Sequence, residues 1–364
     1  MTEMGEGGHR EIGLSPRLLA EIRSGLMRML PQVIAVVAAF IVGAVVLAVT
    51  GYDPVDAYAM MLRGAFGDIY GIGQTLTKAT PIIFTALAFL FAMKSGLFNI
   101  GAEGQLVIGA FAAALVGISF DGLPALIHVP LALLAGALAG GAWGFIPAVL
   151  KAKLGAHEVI TTMMLSYVAT YLTSYMVNYP FKALGWVAQT VPLDPSAQLP
   201  RILPPTQLSA SFIIAIILVA LTYIILQKTT LGYEVRASGL NPVAAESGGI
   251  NVKRTMIIAL VVSGAMAGLG GAGEVMGVHD RFIEGFSPGY GWDGLAVALV
   301  GGLHPVGVVI AAILFGALRS GGMTMTRVTH VPLDIVVILQ SLVIIFVAAP
   351  MLIRYLLRWR EHKG

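Results

Sequence analysis

Few residues in this chain could do chemistry, and the most informative lie in one phrase, Gly96-Leu-Phe-Asn-Ile-Gly-Ala-Glu-Gly-Gln105. Glu103 is the only ionisable residue between Lys94 and Asp121, inside an otherwise apolar run. A carboxylate in such a run is expensive and therefore informative. Asn99 and Glu103 are four apart, so a continuous helix puts them on one face, with Gln105 on another. That face can line a polar path or its gate; equally, Glu103 can be internal glue, paired with a neighbouring helix or a backbone amide. A second group, His157-Glu158-Val-Ile-Thr161-Thr162, opens a later apolar run. Glu158 near a helix N-terminus is favoured by the helix dipole, so it reads as a cap as readily as a pathway group. Glu274, Asp293 and Gln340 are further candidates for a polar path.

Other chemistries are excluded. The chain has no cysteine, no HExxH, and no metal-ligand spacing among His128, His279, His304 and His330, so no metal site is expected. GxxxxGK[ST] is absent, so phosphate binding by a P-loop is not expected. Gly268, Gly270 and Gly273 match the dinucleotide fingerprint in spacing, but that motif follows a strand, and these glycines sit inside an apolar run. The tyrosine stripe Tyr167, Tyr171 and Tyr175 reads as packing. No catalytic residue is assigned.

The elements that position these residues are membrane spans. Hydrophobic residues make up 57% of the 364, charged residues 11%, and mean hydropathy is +0.86; a soluble domain carries about 25% charged residues. The pattern predicts an all-α polytopic membrane protein of about ten transmembrane helices. The spans are 29–50, 71–93, 97–118, 123–150, 159–178, 208–226 and 255–277, then two short ones or a re-entrant pair within 285–323, and 333–356. A polar connection fills 51–70, and a proline-rich segment fills 180–207. Glycines at four-residue spacing, Gly136, Gly140 and Gly144 on one span and Gly264 and Gly268 on another, predict close helix contacts.

Of the 22 lysines and arginines, 15 fall on the side of the termini in this topology and 7 on the other. The positive-inside rule then puts both termini in the cytoplasm, with an N-terminal segment 1–28 and a basic tail 357–364. It also puts 228–254 inside and 180–207 outside. Within 228–254, Asn241-Pro242 reads as an N-cap followed by proline at the first helical position, and Gly248-Gly249 as the stop. The short helix between them offers Ala244, Ala245 and Gly248 as a small surface, flanked by Arg236 and Glu246. It suits docking into a groove on another protein, or it simply turns the chain.

Four phrases also carry a family resemblance: Ser95 to Gln105, His157 to Met164, Gly239 to Ala245, and Gly285 to Val300. Together they resemble the permease subunits of bacterial ABC importers, in the branch that includes ribose and branched-chain amino acid permeases. In particular they are similar to nucleoside or simple-sugar permeases that work with a basic-membrane-lipoprotein type of binding protein. His157 stands where that pattern has Asn. The resemblance implies a subunit of the bacterial inner membrane that forms a pathway with a second homologous permease, a different chain. It implies a cytoplasmic ATPase with two nucleotide-binding modules, which would hold the ATP and Mg, and an extracytoplasmic binding protein; nucleic acid is not a partner. It makes Asn99, Glu103, Gln105, Glu158, Thr161 and Thr162 candidates for the pathway or its gate. Arg236, Gly239, Asn241, Pro242, Ala244, Ala245, Glu246 and Gly249 become the segment coupled to the ATPase. Against it stand an ion-coupled secondary transporter, which should show an ionisable relay, and an integral membrane enzyme, which should show a catalytic constellation. Neither pattern stands out.

Overall fold

Residues 16–120 and 122–361 are described by the computed structural model, with side chains over 33–120 and 122–347. The start of the 1–28 segment and the last three residues of the basic tail lie outside the described residues. The chain is all helix: α1 (Pro16–Val49), α2 (Pro54–Phe66), α3 (Ile69–Lys94), α4 (Ala102–Ser119), α5 (Ala125–Leu154), α6 (Glu158–Asn178), α7 (Ser211–Lys228), α8 (Thr230–Leu240), α9 (Pro242–Ser247), α10 (Val252–Glu274), α11 (Tyr290–Val300), α12 (Pro305–Thr329) and α13 (Asp334–Glu361). Among the described residues six helices are long and apolar enough to cross a membrane: α3, α4, α5, α7, α12, and α10 with the π-turn Val275–His279 that extends it. The apolar parts of α1 and α13, Val33–Val49 and Asp334–Val347, are shorter. Leu126, Leu134, Leu138 and Ile217 face outward, a surface that would associate in water and suits lipid.

Several expectations need correction. Residues 51–70 contain α2, not merely a polar connection. Asp53 caps it by accepting the amides of Val55 and Asp56, Pro54 opens it, and Ala57, Met61 and Ala65 form a buried stripe at four-residue spacing. Too polar to read as a span, the segment is an amphipathic helix lying on α12, where a Cβ added at Gly321 would stand 2.2 Å from Met61 O. In 228–254 a second helix, α8, precedes the expected short one. The 285–323 region is not two short spans, because its two helices differ in length. α11 has 11 residues, about 16 Å or half a bilayer, whereas α12 has 25 and is long and apolar enough to cross.

The glycine ridges pack as their spacing predicts. A Cβ at Gly140 would stand 2.3 Å from Gly264 O, one at Gly268 2.3 Å from Gly136 O, and one at Gly109 2.3 Å from Gly268 Cα. Helices α4, α5 and α10 therefore meet backbone to backbone, a contact only glycine permits. The tyrosine stripe of α6, read as packing, is exposed: Tyr171 and Tyr175 turn away from this chain's core.

The proline-rich segment is not free. Thr190 N–H donates to Phe282 O at 2.9 Å, Leu193 N–H to Asp280 O at 2.9 Å, Leu199 N–H to Met276 O at 2.8 Å, and Glu284 N–H to Ala188 O at 2.9 Å. The loop is thus strapped along the end of α10 and the segment leading to α11. Prolines remove donors from the strap, and the remaining amides find partners there.

Candidate translocation and coupling sites

Glu103 is buried in the first turn of α4, and its Oε2 accepts the Gly291 amide at 2.6 Å. Gly291 is the second residue of α11, so the carboxylate meets a helix N-terminus, where free amides and the dipole favour an anion. The approach needs glycine: a Cβ there would sit 2.3 Å from Glu103 N. One residue earlier, Tyr290 O accepts from Thr85 Oγ1 at 2.8 Å, which fixes the start of α11 against the middle of α3. Below it, Asp293 pairs with Arg319 of α12 at 2.6 Å, and the guanidinium lies 5.6 Å from the Tyr290 ring centroid. Tyr290 Oη donates to Glu274 Oε1 at 3.5 Å, and His279 lies 3.7 Å from the same oxygen. The half-length helix is therefore held at its start by polar groups from α3, α4, α10 and α12. Glu274 and Asp293, candidates for a polar path, both belong to this group. Tyr290, Gly291 and Arg319 are not among the site residues the sequence reading names; the phrase at 285–300 holds the first two, legible as a motif but not as geometry, and Arg319 lies outside it.

Asn99 does not share a face with Glu103. Gly96, at φ +79°, and the turn through Gly101 delay α4 until Ala102, so Asn99 precedes the helix. Its Oδ1 accepts the Gly101 amide at 2.9 Å, while its Nδ2 donates to Gln105 Oε1 at 2.9 Å and to Ser263 Oγ at 2.7 Å. Ser263 Oγ donates onward to Ala88 O at 2.7 Å. Asn99 and Gln105, expected on different faces, form one buried knot tying α3, α4 and α10. Gln340, also expected on a polar path, is buried in α13 and bonds to neither group.

The candidates on α6 bond to neighbouring parts of their own chain. Glu158 pairs with Lys151 at 2.8 Å, joining the start of α6 to the end of α5. Thr161 Oγ1 donates back to Glu158 O at 3.2 Å. Thr162 is buried, donates to Glu158 O at 2.7 Å, and accepts the Ile100 amide at 3.2 Å, holding the turn before α4.

In the central segment, Asn241 Oδ1 accepts the Ala244 amide at 3.0 Å, Pro242 opens α9, and Gly249 turns out at φ +86°, matching the capping pattern in the sequence. Arg236 and Gly239 lie on α8, and a Cβ at Gly239 would stand 2.3 Å from Lys94 O, so α8 is fastened to the end of α3. Ala245 departs from expectation. It is 6% exposed, while Val243 is 75% exposed and Ala244 and Glu246 are exposed with it. A six-residue helix anchored at both ends must turn one side to its own chain, and Ala245 is on that side.

Similarity to known proteins agrees with this architecture. Residues 71–348 match the family described as branched-chain amino acid transport system / permease component. The guanosine ABC transporter permease protein NupP of Bacillus subtilis (strain 168) is 40% identical over 344 residues, covering 93% of this chain and 98% of its own. The nucleoside ABC transporter permease protein NupB of Lactococcus lactis subsp. cremoris (strain MG1363) is 38% identical over 340 residues, 91% and 93% respectively. The glucose ABC transporter permease protein TsgB13 of Haloferax volcanii is 37% identical over 325 residues, 86% and 85%. No solved structure matches the chain. With a polytopic helical fold and a match over most of its length, the chain belongs to the branched-chain amino acid transport system / permease component family, as a multi-pass membrane permease of an ABC importer and not itself an enzyme.

Proposed function

We propose that this chain forms one half of the translocation pathway for a nucleoside, or a related sugar, in the cytoplasmic membrane of a bacterium. The other half is a second homologous permease, a different chain. An extracytoplasmic binding protein delivers the substrate, and a cytoplasmic ATPase with two nucleotide-binding modules drives the cycle. The observation that carries the substrate class is the identity of 38–40%, over more than nine-tenths of the chain, to permeases named for guanosine and nucleosides.

In this reading there are ten crossings: α1, α3, α4, α5, α6, α7, α10, α11 together with the 280–289 segment that leads into it, α12 and α13, with both termini, 1–28 and 357–364, in the cytoplasm. The charge asymmetry supports it. Fifteen lysines and arginines fall on the inner side against seven on the outer, and two of those seven, Lys78 and Arg319, lie well inside α3 and α12. The segment 228–254 then couples to the ATPase through α9, with Arg236, Gly239, Asn241, Pro242, Ala244, Glu246 and Gly249 forming or shaping the contact. The strapped loop 180–207 offers the binding protein a fixed platform. Glu103, clamped to the start of α11, is the gate group, and Asn99, Gln105, Glu158, Thr161 and Thr162 support its frame. A half-length helix held by polar groups suits a gate, because irregular backbone within a membrane is tolerated only where protein or a polar path satisfies it.

The test is uptake in proteoliposomes carrying both permeases, the ATPase and the loaded binding protein. ATP-dependent uptake of labelled guanosine or another nucleoside, competed by nucleosides more strongly than by glucose or ribose, is expected. Uptake that proceeds without the ATPase, driven by an ion gradient, would overturn the reading.

A further inference from the structure

A cavity of about 790 Å³ opens between α2, α3, α12 and the proline-rich loop. Its lining carries four cations, Arg63, Lys78, Arg201 and Arg327, against one carboxylate, Asp68. Asp68 is already engaged, since its Oδ1 caps α3 by accepting the Gly71 amide at 2.6 Å. The three arginines are exposed at the rim. Lys78 differs from them. It is the tenth residue of α3, roughly 14 Å along the helix from its start, and it is partly buried. Among the described residues no carboxylate lies within 4 Å of its ammonium. Glu274 feels its charge from beyond that distance, but the Glu274 carboxylate also faces Tyr290 Oη at 3.5 Å and His279 at 3.7 Å.

An ammonium inside a span costs free energy unless something compensates it, and such residues mark functional sites by default. With no carboxylate paired to it, the open side of this ammonium faces the cavity. A lining with three more positive than negative charges is overmatched to a single carboxylate. It fits a group with two charges and several terminal oxygens, which arginine and lysine can share among them. The floor also lies too far inside α3 for a broad macromolecular surface to reach, while a small ion or a headgroup can.

We propose that this cavity binds a phosphate group, with Lys78 at its floor and Arg63, Arg201 and Arg327 around its mouth. The group belongs either to a free phosphate or phosphate ester or to an anionic lipid headgroup, and the proposal does not depend on which solute the permease carries.

The experiment uses the full-length chain in nanodiscs of phosphatidylcholine, titrated calorimetrically with inorganic phosphate and, as control, chloride. Saturable phosphate binding is expected, weakened at least tenfold by Lys78→Gln and severalfold by Arg327→Gln, a rim change that leaves α3 intact. In a second arm the nanodiscs contain phosphatidylglycerol and lipid retention is read by native mass spectrometry. If the headgroup is the source, wild type retains phosphatidylglycerol, Lys78→Gln does not, and added phosphate competes with it. Absence of both saturable phosphate binding and retained anionic lipid overturns the proposal, and so does binding unchanged in both variants. If neither ligand binds but both variants lose stimulation by the binding protein, the cavity receives protein carboxylates and the proposal is wrong.

Discussion

The Glu103 carboxylate and the Gly291 amide, 188 residues apart in sequence, meet at 2.6 Å where α4 and α11 both begin. This bond joins a group in a full-length span to the start of a half-length one, so the residue at 103 is expected to control both stability and transport. The two can be separated. Gln at 103 keeps an acceptor for the Gly291 amide and removes only the charge. Ala leaves that amide buried and unpaired, at a cost of about 1–3 kcal/mol. Glu103→Gln should therefore assemble at wild-type yield and alter uptake, while Glu103→Ala should also lower the melting temperature. Wild-type uptake in Glu103→Gln would remove this residue from the gate.

The central segment gives a contrast within one six-residue helix. Val243 and Ala244 are exposed and Ala245 is buried. Val243→Glu and Ala244→Glu should leave the permease folded but release the ATPase, or let it hydrolyse ATP without uptake. Ala245→Glu buries a charge without a partner and should lower the yield of the permease itself. Co-purification of the ATPase, together with yield, checks both. Normal ATPase binding and uptake in the first two variants would leave α9 as a turn and nothing more.

The seam of α5 and α10 tolerates no added atom. Gly140→Ala would put a Cβ 2.3 Å from Gly264 O, backbone that cannot swing aside. Overpacking of this kind costs about 1–3 kcal/mol, so a lower melting temperature is expected. Gly285→Ala is the control for overpacking, because a Cβ there meets nothing within 4 Å, although its φ of +68° carries a backbone cost of its own. Equal losses in the two variants would argue against the packing account.

The loop strap should respond to acid. Hydrogen bonds from Ser174 and Asn178 to Glu284 hold its carboxyl below the ordinary glutamate range. A depressed acid stabilises the folded form above its unfolded pKa, and the stabilisation fades as pH falls through the lower folded value. Because Glu284 is largely exposed, the effect should be small and local. Proteolytic protection of 180–207 should hold at neutral pH, persist through the ordinary carboxylate range and weaken below it. Glu284→Ala should show the weakened protection already at neutral pH. Protection independent of both pH and this substitution would show that the backbone bonds alone carry the strap.

Local signals in the sequence were read well. Asn241, Pro242 and Gly248 mark α9 because capping is decided by a few adjacent residues, and the glycine ridges mark a seam because their four-residue spacing survives any helix boundary. Amphipathic helices were harder. α2 and α8 look like polar connections because each buries only a narrow stripe, Ala57, Met61 and Ala65 in the first case and Gly232, Val235 and Ser238 in the second. The grouping around Glu103 was illegible for a different reason. The turn at Gly96 to Gly101 moved the start of α4, which separated Asn99 from Glu103 and gave it to Gln105. Gly291 and Arg319 arrive from more than 180 residues away, and no periodicity reports such a contact.

The backbone contact of α5 with α10 also has a mechanical meaning. Where Gly136, Gly140, Gly264 and Gly268 touch, there are no side chains to act as rollers, and a shift of one helix along the other would drive a carbonyl into a Cα. The two helices, with α4 locked to them through Gly109, behave as a single rail. Opening toward one side of the membrane or the other must then be a tilt of that rail against its surroundings, with the give at its ends: the π-turn and the start of α11 at one, the joint of α8 and α9 at the other.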